Sequence, residues 1–505
     1  PAVAPPTSTT PTTSSSATPT TTTISSTSTA RGGKNEPPAE WPRLAAGGVH
    51  PGLTGRLQAR LGITALSPVQ AAVYPVLRDA VVKRDGLAGS VHDVTVTAET
   101  GSGKTLAYLL PLLAALEGKP LGTASLRYVI VTPTRELAHQ VEGVLTSLTR
   151  GGAKKGGAGA AAATAAGGGV RVMRLVGEIS QQALAAMRTA PPHILVGTPR
   201  ALAAVIPTAL NCGEVAALVL DEADELVRNH HAGAVGALAR TVLGFKHRPA
   251  LVAVSATSSH GLAAFLREHG RGGARMKTVD LLAGAMRTPA SISHYALRVP
   301  TAAAAYGTLT RFLAAAAPRG VLAFVNSAAT LEALELYLRR KHVSVAVLGA
   351  AYGNAERAKA LHATSTGAAL VLLATEMAAR GLDIPRLSHV VNFDLPQSAR
   401  EYVHRAGRVG RISSTTPGRA GTVVSFVVDG GPPRQLPAPG SLAPRSDADH
   451  MSAIAATAGF TLHNASVAGG VWRVVDPAAA ATAGSAADAA ADAAADAADA
   501  PAGQR

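Results

Sequence analysis

Cysteine is almost absent from the 505 residues: Cys212 stands alone, so neither a disulfide nor a cysteine-rich zinc site forms within the chain. Beside the apolar run Ala216–Leu220 it reads as a small buried hydrophobe. Aromatic residues make up 3% of the chain, which excludes base stacking as the main hold on a nucleic acid and leaves phosphate and sugar contacts. No uninterrupted apolar run approaches the ~20 residues of a membrane span, and the alanine-rich end from Ala478 is broken by Asp488, Asp492, Asp496 and Asp499. Acid is missing before Glu36 and base before Arg31, in a stretch dominated by Ser, Thr, Pro and Ala. Such a stretch buries too little apolar surface to offset the entropy of ordering, so residues 1–40 are expected to be a disordered tail. Its serine-rich, acid-poor make-up suits an organelle transit segment, whereas its scarcity of arginine does not.

What the chain has in excess is positive charge. A formal charge of +15 and a pI near 10.3 favour a polyanionic partner, nucleic acid before membrane. From Trp41 onward, short apolar runs alternate with helical stretches: Asp93–Thr97, Tyr128–Thr132, Val170–Val176, His193–Gly197, Ala216–Leu220 and Leu251–Ser255. A second series follows at Val321–Val325, Val343–Leu348, Ala369–Ala374, His389–Phe393 and Thr422–Val428. Continuous Val, Leu and Ile runs separated by helices predict parallel sheets buried on both faces, hence an α/β fold with two domains in tandem. The expected division is a first domain over 41–284 with a flexible Gly/Ala insert at 151–169, a linker at 285–305 and a second domain over 306–430. The extension 431–505 is expected to be mostly disordered, with a short folded patch around Trp472.

The chain is organised around Ala98-Glu99-Thr100-Gly101-Ser102-Gly103-Lys104-Thr105, which follows one predicted strand and opens a predicted helix at Leu106–Leu116. A strand, a glycine turn and a helix N-terminus gather backbone N–H groups around one point, which is an anion site. Lys104 adds a mobile charge for the β/γ-phosphates, and the Thr105 hydroxyl is suited to Mg²⁺. Hydrolysis further needs a metal-holding acid and a group that orients water. Asp221-Glu222-Ala223-Asp224 follows the strand Ala216–Leu220 directly, at the sheet edge where parallel sheets bind ligands. Asp221 is placed to hold Mg²⁺, partly through water, and Glu222 to activate the attacking water.

This Asp-Glu-Ala-Asp, with the phosphate loop before it and Ser255-Ala256-Thr257 after it, resembles the DEAD-box RNA helicases of superfamily 2. The similarity extends through Pro133-Thr134-Arg135-Glu136-Leu137-Ala138, Thr375–Asp383 and His404–Arg411, covering roughly residues 50–430. The resemblance implies two tandem RecA-like domains with parallel sheets, ATP and Mg²⁺ as cofactors, and action as a monomer. Gln70 matches the glutamine that reads adenine, and the aromatic that stacks on the base falls at Leu53. The ATP-binding set would be Gln70, Thr100, Gly101, Ser102, Gly103, Lys104, Thr105, Gly381 and Asp383. Glu222, His404, Arg408 and Arg411 would be catalytic, the two arginines reaching across from the second domain. Ser255, Thr257 and Asp224 would couple hydrolysis to domain closure. RNA would be held through sequence-independent backbone contacts by Thr134, Arg135, Gly177, Thr198, Pro199, Arg357 and Thr375. The tails are the expected attachment points for RNP or protein cofactors. The work is intracellular, with plastid, mitochondrion, nucleus and nucleolus all open.

Departures from the family pattern cluster on the RNA side. Glu178 follows Gly177, Arg200-Ala201 follows Thr198-Pro199, Glu376 follows Thr375, and Val409 lies between the finger arginines. The leading expectation is an ATP-dependent RNA helicase; the alternative is an RNA-binding clamp or scaffold with little turnover, and a DNA helicase stands third. Lys104→Ala is expected to abolish productive ATP binding with the fold retained, and unchanged ATP turnover in that variant contradicts the assignment of the loop.

Overall fold

In the computed structural model, the described residues are 42–82, 92–117, 126–149, 169–228, 231–245, 247–272, 275–282, 287–349, 352–379, 384, 386–410, 420–429 and 446–475. The tail expected at 1–40 and all of the expected insert except Gly169 lie outside them.

The first sheet has seven strands: β1 (Asp93–Thr97), β2 (Tyr128–Val131), β3 (Val172–Leu175), β4 (Ile194–Gly197), β5 (Ala217–Asp221), β6 (Ala250–Ser255) and β7 (Met276–Asp280). Their order across the sheet is β3-β4-β2-β5-β6-β1-β7, all parallel. Alternation along each strand divides the core in two. Tyr128 and Ile130 of β2 join the cluster beneath the N-terminal helices with Val94, Val96 and Val219. Val129 and Val131 join the opposite cluster with Leu218, Leu220 and Leu251.

The second sheet contains β8 (Ile292–Val299), β9 (Val321–Val325), β10 (Val345–Leu348), β11 (Val371–Thr375), β12 (His389–Asn392), β13 (Gly421–Val428), β14 (Leu462–Ala468) and β15 (Val471–Val475). Its order is β10-β11-β9-β12-β13-β8-β14-β15, parallel except for the hairpin β14–β15. Two expected boundaries are corrected by this arrangement. Ile292–Val299, inside the expected linker, is a full strand between β13 and β14. Its polar look comes from His294, which is buried, stacks on Phe460 with ring centroids 4.0 Å apart and meets the Tyr402 hydroxyl at 2.8 Å. Burial, and then His463, push the imidazole down to about 3, so it is a neutral core residue.

The second correction concerns the extension beyond 430. Its helix Asp447–Ala458 buries Met451, Ile454 and Ala458, and His450 Nε2 lies 2.7 Å from Pro396 O. Trp472 of β15 meets Phe312 edge-on at 5.0 Å. Gly469 and Gly470 close the hairpin with positive φ at both positions, the two-residue turn that matches strand twist. Among the described residues no helix is long and apolar enough to cross a membrane.

At the amino edge of the first sheet, the fully buried Asp93 ties three segments together. Its carboxylate accepts from Leu251 N at 2.9 Å, Arg271 N at 2.6 Å and Arg271 Nη1 at 3.1 Å, with Arg248 at 3.4 Å. Asp93→Ala strands two guanidinium groups and a buried N–H, and is expected to cost about 3–5 kcal/mol. Urea unfolding followed by a first-domain signal measures it.

Candidate functional site between the two sheets

Every motif residue of the first domain that is described lies at or just beyond the carboxyl edge of its sheet, and strand order sorts them. The neighbours β3, β4 and β2 lead into Gly177, Thr198-Pro199 and Thr134-Arg135. The neighbours β5, β6 and β1 lead into Asp221–Asp224, Ser255–Thr257 and the loop Ala98–Thr105. One half of the edge therefore carries the expected RNA residues and the other half the expected nucleotide residues.

The phosphate loop turns through Gly101 (φ 79°) and Gly103 (φ 93°), a left-handed backbone that glycine adopts without strain. A Cβ at Gly103 would also lie 2.6 Å from Gln70 Nε2. No side chain caps the helix Lys104–Leu116, so its first N–H groups face the loop. Lys104 Nζ donates to Ala98 O at 2.9 Å and Glu99 O at 2.7 Å. Ser67 Oγ donates to Ser102 O at 2.9 Å, and Gln70 Nε2 to Gly103 O at 3.3 Å. Gln70 Oε1 accepts from Ser67 N at 2.9 Å, so both ends of that amide are engaged within the protein. Leu53, expected over a base, is instead fully buried in the first domain's core with Leu57, because its helix packs against the domain.

Glu222 has φ 50° and ψ 49°, a left-handed conformation in a residue with a side chain, costing roughly 1–2 kcal/mol. The turn leaves Glu222 half-buried while Asp221 and Asp224 are buried on either side of it. Tyr108 Oη donates to Asp221 Oδ2 at 2.9 Å, and Glu222 N donates to Asp221 Oδ1 at 3.0 Å. Burial, then the charge of Glu222, push the Asp221 carboxyl up to about 6. Asp224 behaves oppositely. Burial alone would raise it, but Arg400, then His404 and the Thr257 hydroxyl, outweigh that and hold it below the ordinary carboxylate range.

Those partners join the two domains. Asp224 Oδ2 accepts from Thr257 Oγ1 in its own domain and from Arg400 Nη2 in the other, with His404 Nε2 at 4.0 Å. Ser255 Oγ donates to Thr257 O and accepts from Thr257 N, so the Ser-Ala-Thr turn holds the Thr257 hydroxyl in place. Thr100 Oγ1 lies 3.5 Å from Val403 O, and a Cβ at Gly407 would fall 1.8 Å from Thr100 Oγ1. The turn carrying Arg408, a buried arginine whose Nε donates to His404 O at 3.2 Å, thus sits on the phosphate loop. Arg411, Gly381 and Asp383 lie outside the described residues.

On the expected RNA side, the Arg135 guanidinium approaches Gly177, where a Cβ would lie 3.3 Å from Nη2. Gly177 has φ 80°. Thr134 Oγ1 accepts from Leu137 N at 3.2 Å and fixes the start of the helix Arg135–Thr149. Thr198, half-buried, precedes the helix Pro199–Ala209 without capping it. Arg357 Nε donates to Glu136 Oε1 at 2.8 Å across the domain boundary, and Arg357 Nη2 to Ala378 O at 3.1 Å. A cavity of about 820 Å³ on the second domain is lined by Thr375, Tyr352, Arg400, His404 and the first domain's Arg228, so an expected RNA residue and an expected catalytic residue share one space.

The departures in the sequence resolve into distinct structural roles. Glu376 keeps a function: its Oε2 accepts from Arg405 Nε at 3.1 Å. Arg405 is fully buried, donates to Asn326 Oδ1 at 2.7 Å and Asp394 O at 2.8 Å, and lies over the Phe324 ring at 4.9 Å. Val409 and Ala201 are core residues, whereas Glu178 and Arg200 are exposed. Sequence reasoning did not single out Glu136, Arg400, Arg405 or Tyr108. Glu136 and Arg405 sit inside the quoted motifs, so their charge was the available signal; Arg400 and Tyr108 carried none without the fold.

Comparison with known proteins agrees with this geometry. The family model described as DEAD/DEAH box helicase matches residues 67–265, and that of the helicase conserved C-terminal domain matches 304–413. The ATP-dependent RNA helicase DBP8 of Debaryomyces hansenii is 33% identical over 354 residues, covering 67% of this chain and 73% of that protein. The DEAD-box ATP-dependent RNA helicase CshA of Geobacillus kaustophilus is 30% identical over 381 residues, covering 75% and 71%. The fold resembles that of S. cerevisiae Dbp5 bound to RNA and ADP BeF3, with a TM-score of 0.66 at 22% identity over 84% of this chain and 96% of that one.

Gly407→Ala is expected to keep the domains apart, because the new methyl collides with Thr100. Energy transfer between dyes on the two domains should fall, the thermal midpoint should stay within a few degrees, and Thr100→Gly in the same chain should restore the transfer.

Proposed function

Because the chain belongs to the DEAD-box family of ATP-dependent RNA helicases, we propose a residue-level account of how it hydrolyses ATP and releases RNA. The triphosphate lies against Thr100–Thr105 and the N-terminus of the helix Lys104–Leu116, with Lys104 leaving its loop carbonyls for the β/γ-phosphates. Gln70 is poised at the base end and Ser67 steadies the loop.

The donor set fits a magnesium ion. Asp221 offers a buried carboxylate without a guanidinium partner among the described residues and Thr105 a hydroxyl, both hard oxygens. Among the described residues no cluster of three or more His, Cys, Asp or Glu exists that would hold a metal by itself. That matches Mg²⁺, which keeps waters and shares its sphere with phosphate oxygens. When bound it would neutralise charge at the β- and γ-phosphates.

Glu222, set by its left-handed backbone, orients the attacking water and accepts its proton. Water oxygen bonds to the γ-phosphorus, the bond to the β-phosphate oxygen breaks, and ADP and phosphate leave. Arg408 and Arg411, with His404 ordering the water, bring the second domain's positive charge to the transferring group; an arginine so placed is worth 10³–10⁵ in rate in comparable enzymes. Asp383 and Gly381 are assigned to the ribose end.

RNA backbone runs over Thr134, Arg135, Gly177, Thr198 and Pro199 and continues onto Arg357 and Thr375. The observation that carries this reading is the shared carboxylate of Asp224: Thr257 holds it from one domain and Arg400 with His404 from the other. Nucleotide and RNA each bridge the same two bodies, so each favours the closed pairing and binding of one strengthens the other. Loss of the γ-phosphate removes one bridge, and the RNA is released.

Glu222→Gln tests it. Turnover should fall by roughly 10²–10⁴-fold, while ATP-dependent retention of a single-stranded RNA persists and duplex release stops. Equal duplex release by wild type and Glu222→Gln supports the scaffold alternative instead. RNA should also raise the wild-type ATPase rate, and a DNA loading strand should not replace it.

A further inference from the structure

Resting on the assignment of Asp221 and Thr105 to magnesium, we infer that Tyr108 is a positioning residue of that site, its hydroxyl fixing the Asp221 carboxylate beside Thr105. Tyr108 lies one helical turn beyond Thr105 on the helix Lys104–Leu116, so the two side chains stand on one face. Its ring is fully buried in the first domain's core. Phenylalanine would fill that core equally well, so packing does not account for the hydroxyl.

The hydroxyl's partner is the assigned carboxylate: it donates to Asp221 Oδ2 at 2.9 Å. Asp221 Oδ1 accepts from Glu222 N at 3.0 Å. Asp221 is thus held by one neutral donor on each oxygen, which fixes its rotamer without neutralising its charge. Asp224, three residues on, is matched to the Arg400 guanidinium and has its charge satisfied by protein. The same loop therefore contains one carboxylate closed by a protein cation and one oriented but open to an added cation. The hydroxyl of Tyr108 orients the open one without touching the cation, as outer partners of metal ligands do.

The test is Tyr108→Phe in the full chain, read by equilibrium binding of a fluorescent ATP analogue at graded Mg²⁺ concentrations and again in EDTA. The Mg²⁺ concentration at half-maximal binding should rise roughly 10- to 100-fold. Affinity in EDTA and the ligand-free thermal midpoint should change little. Adding Tyr108→Phe to Asp221→Asn should shift the Mg²⁺ curve by much less than adding it to the wild type, because the hydroxyl acts through that carboxylate. A wild-type Mg²⁺ curve in Tyr108→Phe overturns the inference, as does an equal loss of affinity with and without Mg²⁺, which marks a purely structural tyrosine. Nucleotide binding by the wild type that is indifferent to Mg²⁺ overturns the Asp221–Thr105 assignment itself, and the inference with it.

Discussion

A buried carboxylate whose cation belongs to another domain sits at the centre of the contact between the two domains. Asp224 is almost fully buried, and burial alone would drive it toward the neutral acid. Thr257 supplies a hydrogen bond from within, but the compensating charge comes from Arg400 across the cleft. Removing one member of such a pair leaves an uncompensated buried charge, at a cost of several kcal/mol, whereas the intact pair adds little net stability. Its value is therefore directional. It favours the particular juxtaposition in which His404 lies beside Asp224 and Gly407 against Thr100, and gives little to any other docking of the two domains.

The sheets explain why so many motif residues meet there. In a parallel sheet every strand delivers its carboxyl end to the same edge, so six separate loops of the first domain converge without any long excursion. The strand order then separates them: the loops after β3, β4 and β2 lie side by side, and those after β5, β6 and β1 lie beside them. Asp221–Asp224, after β5, stands at the seam between the two groups. In the second sheet the loops after β10, β11 and β9 flank the loop after β12 that leads to His404 and Arg408. The salt bridge from Arg357 to Glu136 joins the two domains at one end of the edge, and Gly407 against Thr100 joins them at the other. The two groups of loops are thereby packed only a strand or two apart.

Much of this was legible in the sequence because fully buried strands have no polar alternative. β9 (Val321–Val325) reads as five consecutive apolar residues, and β5 ends directly at Asp221, so both strand and loop were visible together. What stayed hidden obeys other rules. β8 carries His294 inward, and a buried histidine stacked on Phe460 looks polar until its neighbours are known. β7 is an edge strand with exposed Lys277 and Thr278, so it lacks an apolar signature. The Gly469-Gly470 turn between β14 and β15 was available as a hairpin signal, but the polar residues His463, Asn464 and Ser466 before it weakened the strand pattern. Among the site residues, Glu376 seemed to break the RNA-side pattern; its longer arm simply reaches Arg405, a partner far away in sequence. Leu53 failed for the opposite reason, since position alone suggested a base contact and the helix turned the side chain into the core.

The placement of β8 within the second sheet has one further consequence. The tether between the lobes is only the 11 residues from the end of β7 at Asp280 to the start of β8 at Ile292. Even drawn out fully, that span reaches at most about 40 Å. After RNA departs, the two half-sites stay at an effective concentration set by this short leash, on the order of millimolar. Reassembly is then a first-order event within one molecule, and its rate is indifferent to how dilute the protein is.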